Sequence, residues 1–234
     1  MTAHGRRHPD VKARAVKIAL EGRSVSALLI APPSVSACYV FAHGAGAGMT
    51  HPFMEAVAQE LAARQIATLR YQFPYMEEGS KRPDVPKVAH AAVRAAVAKA
   101  AEVLPGVTFI AGGKSFGGRM TSQAQALSPL PGVVGLAFLG FPLHAAGAPS
   151  DERAAHLFDV RVPTLFVQGT RDALADMSLM KPLVKKLGVR AVLHEVADAD
   201  HSFHVPAKSG RTDADVRAGF LDAFVGWIRT INKR

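Results

Sequence analysis

The feature of this sequence that most constrains its fold is an apolar run at residues 107–111 that breaks into glycines around one serine and then continues with helical character. Gly113 and Gly117 lie two residues before and two residues after Ser115, in the pattern G-x-S-x-G. A backbone that turns sharply at such a serine leaves no room for a neighbouring Cβ. The pattern predicts a strand, a tight turn with Ser115 at its apex and a helix. Ser115 is therefore a candidate nucleophile, with a purely structural turn as the alternative.

The length and composition favour a single domain over residues 1–234. Hydrophobic residues make up 49% of the 234 and charged residues 20%, a balance typical of soluble proteins. No apolar run approaches the roughly 20 residues that a membrane-spanning helix needs. The basic N-terminal segment also lacks the apolar core of a secretory signal. We expect a cytoplasmic protein with no membrane partner, either a monomer or a homodimer.

The formal net charge of +9 raises the question of nucleic-acid binding. Such binding needs basic residues clustered on one face, whereas here they are spread along the chain without interleaved aromatic residues. We therefore expect no nucleic-acid partner, and a preference for an anionic substrate stays open. The single cysteine, Cys38, lies in a strand-like run and is predicted to be a buried thiol.

Predicted strands and helices alternate along the chain. Most of the strands are continuous apolar runs, as expected for strands covered on both faces, and apolar residues at helical spacing follow them. Strands are predicted at residues 11–20, 24–30, 36–42, 66–71, 107–112, 132–140, 163–168 and 189–196, and helices after residues 51, 85, 115, 172 and 212. This order predicts an α/β fold with a mostly parallel central sheet of about six to eight strands, helices on both faces and no large lid.

A serine hydroxyl is a poor nucleophile at neutral pH, so a histidine base and an orienting carboxylate are expected later in the chain, in the order Ser, Asp, His. His201 follows the last predicted strand, where the base of such a fold belongs. His204 is the alternative, whereas His194 and His156 lie within or before strands and are assigned structural roles. His201 and His204 lack a third ligand at suitable spacing, so no metal and no cofactor are expected.

Asp172 is the predicted acid because it follows a strand and precedes a helix, a position from which a carboxylate can reach the histidine loop. Asp176 lies one helical turn later and is expected to face solvent. Asp198 and Asp200 adjoin His201 in sequence, which favours a local role in that loop.

A glycine-rich loop at residues 43–48 follows the third predicted strand. Acyl transfer to a serine needs two N–H donors for the oxyanion, one from the residue after the nucleophile and one from a loop of this kind. The predicted donors are the backbone amides of Phe116 and Ala45. Close packing between strand and helix is the alternative reason for the glycines, and His43 is expected to brace the loop.

The glycine-rich segments do not match phosphate-binding motifs. A GxxxxGK[ST] loop would need glycine at the position of Thr108. A GxGxxG motif starting at Gly44 or Gly46 would need glycine at position 49 or 51, which hold methionine and histidine. Neither nucleotide-binding motif is present.

Two loops rich in aromatic and turn residues are predicted to line the substrate pocket. They cover residues 72–80 and 141–149, and each follows a predicted strand. The candidate pocket residues are Phe73, Tyr75, Met76, Phe141 and His144.

Four segments together resemble the α/β-hydrolase superfamily. They are GKSFGGR at residues 113–119, HGAGAG at 43–48, QGTRD at 168–172 and DHSF at 200–203. More narrowly, the chain is similar to a dienelactone-hydrolase-like branch of bacterial predicted hydrolases, which also includes a scaffold subunit of the eukaryotic nonspecific-lethal histone acetyltransferase complex. The matches to this branch are KSFGGR at residues 114–119, FPYME at 73–77 and VPAKSGR at 205–211.

The resemblance covers nearly the whole chain and implies a serine hydrolase with the ordered residues Ser115, Asp172 and His201. Such an enzyme cleaves a small-molecule acyl substrate, an ester or else a thioester or amide, through an acyl-serine intermediate and without a cofactor. Dienelactone hydrolases carry cysteine at the position of Ser115, so their particular reaction is not implied. The scaffold relative keeps a second hypothesis open, a binding protein with this fold and no turnover.

Overall fold

An eight-stranded sheet forms the centre of the computed structural model, which describes residues 11–231. The strands are β1 (Arg14–Leu20), β2 (Arg23–Ile30), β3 (Ala37–Ala42), β4 (Ile66–Tyr71), β5 (Phe109–Lys114), β6 (Val133–Leu139), β7 (Thr164–Gly169) and β8 (Ala191–Val196). Their order across the sheet is β1-β2-β4-β3-β5-β6-β7-β8. β2 pairs antiparallel with both β1 and β4, and all the other pairs are parallel.

Helices cover both faces of the sheet. They are α1 (Pro52–Ala62), α2 (Pro74–Glu77), α3 (Pro86–Val103), α4 (Phe116–Leu127), α5 (Met177–Leu187) and α6 (Asp213–Ile231). α1 and α6 pack on one face, where Leu61 and Phe224 share a buried cluster with Tyr39 of β3. α3, α4 and α5 pack on the other face, where their apolar residues share a cluster with Val40. Consecutive residues of β3 thus point to opposite faces, which explains why this strand is apolar throughout.

The predicted α/β architecture, with a mostly parallel sheet, helices on both faces and no large lid, is confirmed. Several segments differ in detail from the sequence prediction; for example, β1 begins at Arg14 and β5 at Phe109. The loop at residues 72–80 contains the short helix α2, in which Pro74 occupies the first turn. The last strand begins at Ala191 because Gly188, with φ of 72°, ends α5 and a single 3₁₀ turn follows. Among the helices of residues 11–231, none combines the length and the apolar character that crossing a membrane requires.

The start of α4 passes very close to the end of β3, and this crossing needs glycine at two positions. A Cβ on Gly117 would lie 2.5 Å from the backbone oxygen of His43, and a Cβ on Gly113 would lie 2.4 Å from that of Ala42. Both distances are too short for any side chain. The two glycines of the G-x-S-x-G pattern therefore allow α4 to begin directly above β3, next to the glycine loop.

We predict that Gly113→Ala and Gly117→Ala each lower the free energy of unfolding by about 1–3 kcal/mol, because the added methyl group overpacks a backbone crossing. Gly219→Ala in α6 is the matched control, since no atom lies within 4 Å of a Cβ at that position. Alanine has the higher helix propensity, so the control should be stabilised by about 0.4–1 kcal/mol. Urea denaturation measures all three changes, and equal effects at the three positions would contradict the close crossing.

Candidate active site

Ser115 stands between β5 and α4 with a backbone conformation that is rare for a residue with a side chain. Its φ is 49° and its ψ is −116°. Such a conformation costs on the order of 1–3 kcal/mol and persists only where the surroundings hold it. Here Ser115 N–H donates to the oxygen of Leu139 at 3.2 Å, and Arg119 N–H donates to the oxygen of Ser115 at 3.1 Å. The neighbouring strand and the first turn of α4 thus hold the serine at the apex of the turn.

His201 lies between Ser115 and Asp172 in one continuous chain of hydrogen bonds. Its Nε2 is 2.9 Å from Ser115 Oγ, and its Nδ1 is 2.7 Å from Asp172 Oδ2. An ionised carboxylate only accepts hydrogen bonds, so the imidazole proton belongs on Nδ1. Nε2 is then free to accept the serine proton. The structure therefore brings the three residues together in the arrangement that the sequence analysis predicts.

The Asp172 carboxylate is fully buried and both of its oxygens are satisfied. Besides His201, Oδ2 accepts a hydrogen bond from Gln168 Nε2 at 2.6 Å, and Oδ1 accepts one from Leu174 N–H at 2.8 Å. Gln168 Oε1 in turn accepts from Phe141 N–H at 2.9 Å. Gln168 was missed by the sequence analysis, although it is a polar residue in an otherwise apolar strand and stands four positions before Asp172. It fixes the carboxylate relative to the end of β6.

The turn at residues 200–204 carries His201 and is closed by Asp200. Asp200 Oδ1 accepts hydrogen bonds from Ser202 N–H at 2.8 Å and His204 N–H at 3.0 Å. Phe203 has φ of 64° and a buried ring. Asp200 thus takes the local loop position that the sequence analysis favoured for it.

The other candidate histidines lie away from Ser115. His204 is mostly exposed and its Nδ1 is 2.9 Å from Asp213 Oδ2, a hydrogen bond that raises the pKa of His204. His156 Nε2 is 2.7 Å from Ser122 Oγ, and burial lowers the pKa of His156 to about 4. Within residues 11–231, no three His, Cys, Asp or Glu side chains are placed to hold a metal ion.

Asp176 also lies apart from the histidine. Its carboxylate accepts from Ser178 N–H at 2.8 Å and caps the N-terminus of α5. This exposed capping position matches the expectation that Asp176 faces solvent.

The two predicted oxyanion donors lie on loops that meet at Ser115. Phe116 N–H is the first amide of α4, and Ala45 lines the same cleft as Ser115. In the described part of the chain, neither amide donates a hydrogen bond to another residue. By contrast, Gly46 N–H donates to Tyr75 Oη at 3.1 Å, and Met49 N–H donates to Gln72 Oε1 at 2.8 Å. The glycine loop is therefore held by its neighbouring amides while the Ala45 amide stays available.

His43 braces the glycine loop from inside the protein. Its Nδ1 donates to the oxygen of Gly44 at 2.8 Å, and its Nε2 accepts from Phe73 N–H at 3.1 Å. The ring is fully buried, and this burial lowers the pKa of His43 to about 4. His43 is thus neutral at physiological pH and connects the loop to the residue that follows the end of β4.

A cleft of about 390 Å³ opens beside Ser115. Its apolar wall includes Phe53, Met54 and Leu174, and its polar side includes His201 and Lys114. The first turn of α1 thus supplies much of the wall, a role that the sequence analysis did not assign to it. Phe53 and Met54 come directly after the predicted cap and proline of that helix, a position near the glycine loop, but nothing in the sequence shows that they face Ser115.

The five residues predicted as pocket wall lie elsewhere, and this part of the sequence prediction is corrected. Phe73, Tyr75 and Phe141 are buried in the core, and Met76 is partly buried beside Gly48. The rings of Phe73 and Phe116 are 5.3 Å apart at their centroids, so the 72–80 loop packs inward against the start of α4.

His144, the fifth predicted pocket residue, lies on the other side of Asp172. It borders a separate cavity of about 420 Å³, and its Nε2 accepts a hydrogen bond from Asp176 N–H at 2.8 Å. The aromatic residues of both loops thus support the site from the core, because burying their large apolar surfaces is more favourable than exposing them in an open cleft.

We predict that the protein loses stability as the pH falls from about 6.5 to 4, partly through His43. The unfolded state binds a proton at the ordinary histidine pKa, whereas the folded state resists protonation down to a pKa of about 4. Each such histidine therefore contributes its full share of the free energy of unfolding above about pH 6.5. That free energy falls by on the order of 2–3 kcal/mol per histidine as the pH is lowered toward 4.

His43→Gln tests this prediction, because glutamine keeps an acceptor for Phe73 N–H and does not titrate. The variant should be less stable than wild type near neutral pH and should show a flatter dependence of the urea midpoint on pH. His156→Gln serves as the comparison, because it removes a second histidine with a lowered pKa far from the glycine loop. If His43→Gln shows the full wild-type pH dependence, His43 does not contribute to the loss of stability at low pH.

Comparison with known proteins agrees with the fold described above. A family model described as an alpha/beta hydrolase domain matches residues 35–229. Similar solved structures include a dienelactone hydrolase from Anabaena variabilis (TM-score 0.77, 20% identity, 94% of this chain and 98% of that one). A second is a lidless α/β serine hydrolase from Xanthomonas campestris (TM-score 0.71, 20% identity, 92% and 95% covered).

A third similar structure is Est1E from Butyrivibrio proteoclasticus with ferulic acid bound (TM-score 0.69, 18% identity, 89% of this chain and 98% of that one). At these identities the likeness to solved structures shows a shared fold. The family model spans most of the sequence. The chain therefore belongs to the α/β-hydrolase family.

Proposed function

We propose that this α/β hydrolase is a serine hydrolase that cleaves small carboxylic esters through an acyl-Ser115 intermediate. The observation that carries the proposal is the continuous hydrogen-bond chain from Ser115 through His201 to the buried Asp172 carboxylate, at the wall of an open cleft. A turn at Ser115 with a purely structural role would not need these hydrogen bonds. The chain is what a serine requires in order to lose its proton as it attacks.

In the proposed acylation step, Ser115 Oγ attacks the carbonyl carbon of the ester while its proton passes to His201 Nε2. The Asp172 carboxylate stabilises the imidazolium that forms. The amides of Phe116 and Ala45 donate hydrogen bonds to the oxyanion of the tetrahedral intermediate. The intermediate then collapses, the bond to the leaving oxygen breaks, and His201 gives the proton to the departing alcohol.

In the proposed deacylation step, a water molecule takes the place of the alcohol. His201 Nε2 accepts a proton from the water as its oxygen attacks the acyl carbon, and the same two amides bind the second oxyanion. The acyl bond to Ser115 Oγ then breaks and the serine regains its proton from His201. The products are a carboxylic acid and the free enzyme, so no cofactor or oxidant enters the balance.

The cleft favours small acyl substrates with apolar groups. Its volume of about 390 Å³ lies near the lower end of small-molecule sites, and Phe53, Met54 and Leu174 form its apolar wall. Thioesters and amides react through the same steps. Est1E, which shares the fold, was solved with ferulic acid, an aromatic acid, so esters of aromatic acids are a reasonable addition to short-chain aryl esters in assays.

We predict that Ser115→Ala abolishes labelling by a fluorophosphonate and lowers the kcat for short-chain aryl esters by roughly 10⁴–10⁶-fold. Ser34→Ala is the control, because Ser34 is an exposed serine between β2 and β3 and does not line the cleft. The control should label and turn over like wild type. Equal labelling of wild type and Ser115→Ala would refute the proposal, and a stable protein partner without any labelling would favour the scaffold hypothesis.

We also predict that Asp172→Asn lowers kcat by about 10⁴-fold with little change in fold, because an amide at this position donates to Nδ1 and stabilises the wrong imidazole tautomer. Asp176→Asn is the control, since Asp176 only caps α5. Steady-state kinetics with circular dichroism on both variants measures the effect. Near-wild-type kcat in a folded Asp172→Asn variant would remove Asp172 from the proposed mechanism.

A further inference from the structure

Lys114, the residue directly before the candidate nucleophile, folds over the turn that carries His201. Its side chain is partly buried at the edge of the cleft, and its Nζ donates a hydrogen bond to the backbone oxygen of His201 at 2.6 Å. Within residues 11–231, no carboxylate lies at ion-pairing distance from this ammonium. Burying a cation without an ion pair is costly. A methionine could fill the same space without that cost, so packing alone does not explain why position 114 is a lysine.

The ammonium contacts the turn that carries His201 at a second point. Nζ lies 5.5 Å from the centroid of the Phe203 ring, within the range of a cation–π interaction. The same ring stacks on Phe53, with centroids 5.9 Å apart and planes at 8°, and packs against Phe220 at 4.8 Å. Lys114 thus holds both the carbonyl of His201 and the aromatic residue that anchors the turn in the core.

The backbone of this turn needs such support. Phe203 has φ of 64°, in a region that costs a bulky residue on the order of 1–3 kcal/mol. Gly140, with φ of 70°, leaves room for the lysine head group, because a Cβ there would lie 2.9 Å from Nζ and 3.5 Å from His201 Nδ1. The space next to the His201 ring is therefore kept for the ammonium.

Charged groups around Nζ set the range of pH in which it stays an ammonium. Desolvation lowers the pKa of Lys114 to about 8, and the nearby carboxylates of Asp172 and Asp200 oppose this shift. His201 is the other titratable group that faces Nζ. Below about pH 8 the hydrogen bond to the His201 carbonyl is charge-assisted, and such bonds are roughly twice as strong as neutral ones.

We propose that Lys114 is a positioning residue that holds the main chain of His201, so that the imidazole stays within hydrogen-bonding distance of Ser115 Oγ during proton transfer. The peptide backbone joins Lys114 directly to Ser115, so one hydrogen bond links the strand that carries the nucleophile to the turn that carries the base. The catalytic consequence of this hydrogen bond rests on the proposed function, whereas its effect on the position of the turn does not. The role assigns a purpose to the variable position of the G-x-S-x-G motif in this chain.

Lys114→Met tests the proposal, because it keeps the length and apolar volume of the side chain and removes the ammonium. We expect kcat for an aryl ester to fall by roughly 10–100-fold with KM within about twofold of wild type, as for loss of an interaction that matters in the transition state. We also expect faster hydrogen exchange of the amides of residues 200–204. Lys186→Met, which removes an exposed lysine of α5, should change neither quantity.

A chemical rescue separates the ammonium from general packing. Lys114→Cys treated with 2-bromoethylamine gains a thioether analogue of lysine, which should restore most of the lost kcat and the slow exchange of residues 200–204. The native Cys38 does not interfere, because it is fully buried and desolvation raises its pKa to about 12. Treated wild type is the control.

The two readouts distinguish failure of this inference from failure of the proposed function. Wild-type exchange at residues 200–204 in Lys114→Met overturns the positioning role, whatever the activity. Faster exchange with unchanged kcat in an active enzyme also overturns it, because the hydrogen bond would then hold the turn without serving catalysis. Faster exchange in a protein that neither labels nor hydrolyses esters would support the role of Lys114 in holding the turn and reject the hydrolase proposal instead.

Discussion

The whole site depends on the close crossing of α4 over the carboxyl end of β3. No side chain fits at Gly113 or Gly117, and the backbone between them turns so sharply that Ser115 has φ of 49°. The same crossing brings the first amide of α4 next to the glycine loop that follows β3. Ser115 and the first amide of α4 therefore lie at this crossing, and Ala45 of the glycine loop lines the same cleft as Ser115.

A second requirement is to keep a carboxylate charged inside the protein. Asp172 is fully buried, and a buried anion is tolerated only where donors satisfy it. Gln168, Leu174 and His201 supply three hydrogen bonds to its two oxygens. Gln168 comes from the end of β7 and is itself bound to the residue beyond β6. The carboxylate is therefore fixed by neighbouring strand ends, and its position orients the imidazole that points at Ser115.

The fold and the three central residues could be predicted from the sequence because each leaves a local signal. Continuous apolar runs indicate strands covered on both faces, and Ser115 and Asp172 follow such runs, whereas His201 follows the last predicted strand. The pocket wall could not be predicted in the same way. Phe73 and Phe141 follow strand ends too, but whether an aromatic ring points into a cleft or into the core depends on neighbours that are distant in sequence. Lys114 carried no signal as a partner of His201 for the same reason, because 87 positions separate the two residues. Gln168 lies only four positions before Asp172 and stands out as a polar residue in its strand, but the sequence does not show that its side chain turns toward the carboxylate.

Two buried titratable groups hold the loops on either side of Ser115, and they work in opposite protonation states. His43 must be neutral to accept from Phe73 N–H, and its pKa of about 4 keeps it neutral above that pH. Lys114 holds the His201 carbonyl most strongly as an ammonium, and its pKa of about 8 limits that state to lower pH. Burial lowers the pKa of both groups, because it disfavours the charged form of each. Protonation of His43 therefore removes the hydrogen bond that braces the glycine loop, and deprotonation of Lys114 weakens the one that holds the turn of His201.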